Sequence, residues 1–173
     1  MTEKKVARES LTTMTEMVFP NHTNGLNNLM GGWLMYWMDI VSAIAAQRHA
    51  NSIVVTASVD NISFSEPIKI GDVVTLRAQV TRSFNTSMEV YIEAWTENIP
   101  NRRKLATNKA FFTFVALDKE GKPTAVPEVV PETDEEKALY ESALRRRQLR
   151  LILAGRMKPN DASELKAIFE IED

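Results

Sequence analysis

Gly31-Gly32-Trp33-Leu34-Met35-Tyr36-Trp37-Met38-Asp39-Ile40-Val41-Ser42-Ala43-Ile44-Ala45-Ala46-Gln47-Arg48-His49 is the stretch whose reading decides the fold. Its apolar side chains fall on every side of a helical wheel, so no face is suited to water. Such a helix has to be enclosed, and in a chain of 173 residues the enclosing element must be curved. The apolar run is broken by Asp39 and Ser42 and is too short to span a bilayer.

Upstream, residues 11–19 are β-prone and stop at Pro20, and a polar loop rich in asparagine follows to Met30. Downstream, residues 53–59 are β-branched, and Gly71-Asp72 turns the chain into a strand over 73–80. Residues 88–95 alternate, with Met88, Val90, Ile92 and Ala94 on one face. Residues 83–87 form the hairpin loop between these two strands, and 110–117 is a last strand. The order strand, buried helix, four strands predicts an α+β fold, an antiparallel sheet wrapped around one helix.

From Pro123 the composition changes. Pro123, Pro127 and Pro131 mark an extended connector, and Thr133 with Glu136 forms a capping box. A helix is expected from there to about Ala154, ending at Gly155, with a short one over 161–169. The expected organisation is one domain over 8–122 and a connector with a helical tail over 123–173.

The absence of cysteine excludes a thiol nucleophile, a disulfide framework and a thiolate-bound metal. A net charge of -2 argues against a dedicated nucleic-acid binder. Arg145-Arg146-Arg147 reads more simply as the solvated face of a helix, while Asn101-Arg102-Arg103-Lys104 reads as a solvated turn or as part of a surface that meets phosphates. No apolar run opens the chain, so no secretory signal or membrane anchor is expected and the cytoplasm is the default address. His22 and His49 form no metal-ligand pattern.

Asp39 is the anomaly. Its helical neighbours are Tyr36, Met35, Ser42 and Ala43, with no cation within a turn. Burying an unpaired carboxylate costs on the order of several kcal/mol. Such a group must be neutralised, kept for chemistry, or hydrogen-bonded, here to Ser42 or a strand hydroxyl; otherwise Asp39 is exposed at an oligomer seam. Gly31-Gly32 opens a helix, where N–H groups bare of Cβ atoms can receive developing negative charge; a tight turn explains the pair equally well. Asn24 is, taken alone, a turn former.

The run Pro20-Asn21-His22-Thr23-Asn24-Gly25-Leu26-Asn27-Asn28-Leu29-Met30-Gly31-Gly32, continued to Asp39, resembles the acyl-CoA hydrolase branch of the hotdog-fold thioesterases. That branch includes the brain-type cytosolic and bacterial broad-specificity enzymes. Val55-Thr56-Ala57-Ser58-Val59-Asp60-Asn61-Ile62-Ser63-Phe64, Pro67-Ile68-Lys69-Ile70-Gly71-Asp72 and Ala110-Phe111-Phe112-Thr113-Phe114-Val115 extend the likeness over about residues 11–137. The resemblance implies a hotdog fold, hydrolysis of acyl-CoA without a cofactor, Asp39 as catalytic carboxylate and Asn24 as catalytic asparagine. Asn27-Asn28 and Met30 depart from many bacterial relatives.

On that reading the Gly32 amide is the oxyanion donor, Asp39 the general base or nucleophile, and Asn24 orients the water or the carbonyl. Gly32 and Asp39 lie roughly 10 Å apart along one helix, so a site shared between subunits is expected, in a dimer or a trimer of dimers. Gly31, Ser83, Asn85, Thr86, Ser87 and Arg103 are the expected substrate contacts. The competing readings are a hotdog dehydratase, which would place a histidine beside Asp39, and a non-catalytic acyl-CoA-binding regulatory module.

Overall fold

The computed structural model describes residues 3–60, 62 and 66–169; Asn61, Ser63 and Phe64 of the resembling run lie outside them. It has two compact units, residues 1–130 and 131–173. In the first, β1 (Lys4–Val6) and β2 (Thr12–Met17) precede α1 (Gly31–Ala50). They are followed by β3 (Ile53–Asp60), β4 (Val73–Ser83), β5 (Ser87–Asn98), β6 (Arg103–Leu117) and β7 (Glu128–Val130). The main sheet has the order β2-β4-β5-β6-β3, with every neighbouring pair antiparallel.

The alternation read in the sequence sets the core. Leu76, Ala78, Val80, Val90, Ile92, Phe112 and Phe114 point to one face and meet Leu34, Trp37, Met38, Val41 and Ala45 of α1 within the same buried core. Phe114→Ala in this layer should cost about 3–5 kcal/mol of stability.

Two expectations need correction. The helix is not enclosed all round: the sheet covers one side, while Met35, Tyr36 and Ile44 stay exposed on the other. The edge strand β3 likewise exposes Ile53, Val55 and Val59. The reason is that five strands curl past only one side of α1. The compact unit also runs beyond residue 122, because the segment after Pro123 bonds back to it. Thr124 donates to Ala116, Val126 to Asn85, and β7 pairs in parallel with β1.

In the second unit, α2 (Asp134–Leu153) starts on the capping box as read: Glu136 N donates to Thr133 Oγ1, and Thr133 N to the Glu136 carboxylate. It stops at Gly155, whose φ of 68° is the left-handed conformation glycine adopts freely. Leu165 of α3 (Ser163–Phe169) donates to Gln148 Oε1, tying the two helices.

Candidate active site

The first turn of α1 has no side-chain cap, because its N-cap residue is Met30. Trp33 and Leu34 donate to Met30 O, whereas among the described residues the Gly31 and Gly32 amides have no partner. A Cβ at Gly32 would meet nothing within 4 Å, so no packing in this chain requires glycine there. Open amides at a helix start suit an anion or a polarised carbonyl.

The preceding loop is a small closed hairpin. Met30 N donates to His22 O at 2.9 Å, Thr23 bridges Leu29, and Asn24 N donates to Asn28 O at 2.8 Å. Asn27 turns the corner in the left-handed region, φ 57°. Within it the side-chain oxygen of Asn24 accepts the N–H groups of Leu26 (2.9 Å) and Asn28 (3.2 Å). That fixes which end of the amide faces outward. Its NH2 group makes no hydrogen bond among the described residues, so Asn24 presents a donor. Asn24, Gly31, Leu34 and Asn28 line one cleft of about 370 Å³. Gly32 lies instead in an apolar depression with Met30, Trp33 and Tyr36.

Asp39, on the same helix, is half-buried rather than sunk in the core, which corrects the expectation. Among the described residues the wholly buried acid is Glu89, which accepts from the Thr81 hydroxyl at 2.8 Å. Thr56 Oγ1 donates to Asp39 Oδ1 at 2.7 Å, so the partner is a strand hydroxyl, and Ser42 instead donates to Met38 O. Thr56 precedes a bulge in β3, where the register with β6 slips between Thr56 and Ser58. Bulges re-aim side chains next to active sites, and a register slip leaves no mark in composition. Thr56 is the residue that sequence reasoning did not single out.

The remaining expected contacts separate. Ser83 accepts from Val129 N, and Asn85 O accepts from Val126 N, which ties the Ser83–Ser87 hairpin to the segment before β7. Thr86 O accepts from Ala116 N, and Ser87 O from Phe84 N. This hairpin is at the opposite end of the 11-residue strand β4 from Asp72, where the chain meets the loop before α1. A strand of that length spans about 35 Å, so one chain does not bring the hairpin to Asn24. Arg103 is at the Asn24 end. It lines a second cleft of about 230 Å³ with Lys69 and Asn98, and that cleft shares Glu66 and Pro67 with the first.

Neither histidine reaches Asp39. His22 accepts the Phe19 N–H on Nδ1, with its ring against Trp33 and Trp37. His49 is buried near the C-terminus of α1, bonded through Nε2 to Pro127 O at 2.9 Å; burial lowers its pKa below the usual 6.5. Among the described residues no group of acids and histidines could hold a metal. No described helix is long and apolar enough to cross a membrane.

A helix held by an antiparallel sheet is also the fold of the thioesterase superfamily. The model of that superfamily matches residues 26–101. The uncharacterized acyl-CoA thioester hydrolase YkhA of Bacillus subtilis is 42% identical over 83% of this chain and 84% of its own. An apo-hexameric acyl-CoA thioesterase superposes with a TM-score of 0.85 at 39% identity, over 88% of this chain and 97% of its own. The acyl-CoA hydrolase of Staphylococcus aureus, solved with butyryl coenzyme A and coenzyme A, gives 0.81 at 39% identity over 88% and 95%. That hydrolase has also been solved with an aspartate, a threonine or an asparagine replaced by alanine. The chain belongs to the acyl-CoA thioester hydrolase family, with the hotdog fold.

Proposed function

We propose that this protein hydrolyses acyl-CoA thioesters to a free acid and coenzyme A, in the cytosol and without metal or cofactor, at a site completed by a second copy of the chain. The observation that carries the reading is the Asn24 amide, locked by two backbone N–H groups so that its NH2 faces a cleft shared with Gly31. The thioester carbonyl oxygen accepts from Asn24 Nδ2 and from an amide of the Gly31–Gly32 pair, which stabilises the oxyanion. Asp39, held on one oxygen by Thr56, takes a proton from the attacking water; alternatively it attacks the carbonyl itself, and water then cleaves the mixed anhydride. In either route the C–S bond breaks and the departing thiolate is protonated to free CoA. The apolar depression beside Gly32 gives the acyl chain somewhere to lie.

Roughly 10 Å of helix separates Gly32 from Asp39, too far to act on one carbonyl from a single chain. The exposed flank of α1 and the exposed edge strand β3 supply the surface on which a second copy would bring its Asp39 to this Asn24. A hexameric relative supports such assembly, with a trimer of dimers as the natural form. A neighbouring copy would also deliver the Ser83, Asn85, Thr86 and Ser87 hairpin to the CoA nucleotide. Arg103, near the Asn24 cleft, reaches the phosphates. The three residues replaced in the S. aureus hydrolase are an asparagine, an aspartate and a threonine spaced as Asn24, Asp39 and Thr56 are here, which favours these three.

The test is thiol release from acyl-CoAs of increasing chain length. Asp39→Asn should lower turnover by about 10²–10⁴-fold while the melting temperature stays close to wild type. Binding of acyl-CoA without thiol release by the unaltered protein would point to a regulatory module instead.

A further inference from the structure

His22 has no part in the chemistry above, yet its bonds meet where the loop and the helix join. Its ring Nδ1 accepts the Phe19 N–H at 3.1 Å, and its own N–H donates to Phe19 O at 2.9 Å. Nδ1 is therefore the accepting nitrogen of the ring. The ring centre is 4.7 Å from that of Trp33, the residue after Gly32, and 5.2 Å from that of Trp37, one turn on. Its carbonyl accepts the N–H of Met30, the N-cap of α1. Two further rungs, Thr23 with Leu29 and Asn24 with Asn28, stand on this one.

We infer that His22 is a positioning residue for the oxyanion site, holding the Asn24 donor in register with the Gly31–Gly32 amides by clamping the base of the loop to the first turn of α1. The inference rests on the proposed role of Asn24. Its two attachments are separable: the ring packs on the helix, and Nδ1 anchors the 3-10 turn Pro20–His22 that leads into the loop. An error of about 1 Å in a donor's place can cost on the order of 10²-fold in rate without changing ground-state binding.

The two attachments call for two variants. His22→Phe keeps the ring and removes the acceptor; His22→Asn keeps an acceptor on the γ carbon's substituent and removes the ring. In thiol-release kinetics His22→Phe should lower kcat by about tenfold with KM changed less than about twofold, and His22→Asn should retain more of kcat. The decisive arm is the cycle with Asn24→Ala: against that background His22→Phe should cost less than about twofold, because there is no donor left to misplace. An undiminished loss there would overturn the inference, as would a loss confined to KM or to melting temperature. Wild-type turnover in Asn24→Ala alone would instead remove the proposed role of Asn24, and this inference with it.

Discussion

The two ends of α1 are built oppositely. At the C-terminal end side chains take up helix carbonyls: Lys5 Nζ donates to those of Arg48 and His49, and Arg48 itself donates to Leu11 O and Thr12 Oγ1. His49 holds Pro127 O, and Asn51 ends the helix in the left-handed conformation, φ 52°. At the N-terminal end no side chain caps the helix, two glycine amides have no partner among the described residues, and Asn24 offers its donor end to a cleft it shares with Gly31. One end is finished for stability. The other is left with donors open to water, which a ligand can displace.

The largest break in that contrast comes from Asn24→Asp. The carboxylate still accepts from Leu26 and Asn28, so the loop keeps its form, but the donor is gone. Turnover should fall about 10²–10³-fold, with the melting temperature within a few degrees of wild type, measured by thiol release and calorimetry. Gly32→Ala is next. Space is open for the methyl group in the single chain, so the melting temperature should hold or rise slightly, while kcat/KM falls because the Cβ crowds the amide. A matched loss of stability would mean that the pair serves only as a turn.

The smallest expected effect belongs to the finished end. With Nε2–H given to Pro127 O, His49 Nδ1 is buried and has no partner, so a proton there finds no acceptor. The folded pKa is lowered, hence the folded state binds fewer protons than the unfolded one, and stability falls as pH drops below about 6.5. His49→Gln can still offer a donor to Pro127 without titrating. Between pH 7.5 and 5.5 its melting temperature should therefore drop less than that of the wild type, with turnover per folded molecule unaffected.

Most of this architecture was legible in the residues. The period-two alternation over 88–95 and the all-round apolar helix required a sheet curled on a helix, and Thr133 with Glu136 marked the start of α2. What escaped was non-local. The β1–β7 pair joins short segments more than a hundred residues apart, and nothing in Lys4–Val6 announces a partner. Asp39 was singled out as stranded without a nearby cation, but its partner Thr56 could not be read, since a bulge in a different element turns that hydroxyl toward it. By residue type alone Asn24 was one turn-forming asparagine among four, and only the family resemblance singled it out. Only the two hydrogen bonds on its oxygen separate the anchored end from the offered one.

In the proposed site the open end of one helix meets the acid of another, and mixed subunits test that meeting most directly. Asn24→Ala and Asp39→Asn chains, each strongly impaired alone, would be co-expressed with different tags and the mixed oligomer isolated. Each mixed two-fold dimer has both groups intact at one of its two sites, so thiol release from the isolated mixed species should return to roughly half of wild type. Verified mixed oligomers as inactive as either parent would show that Asn24 and Asp39 do not meet across subunits.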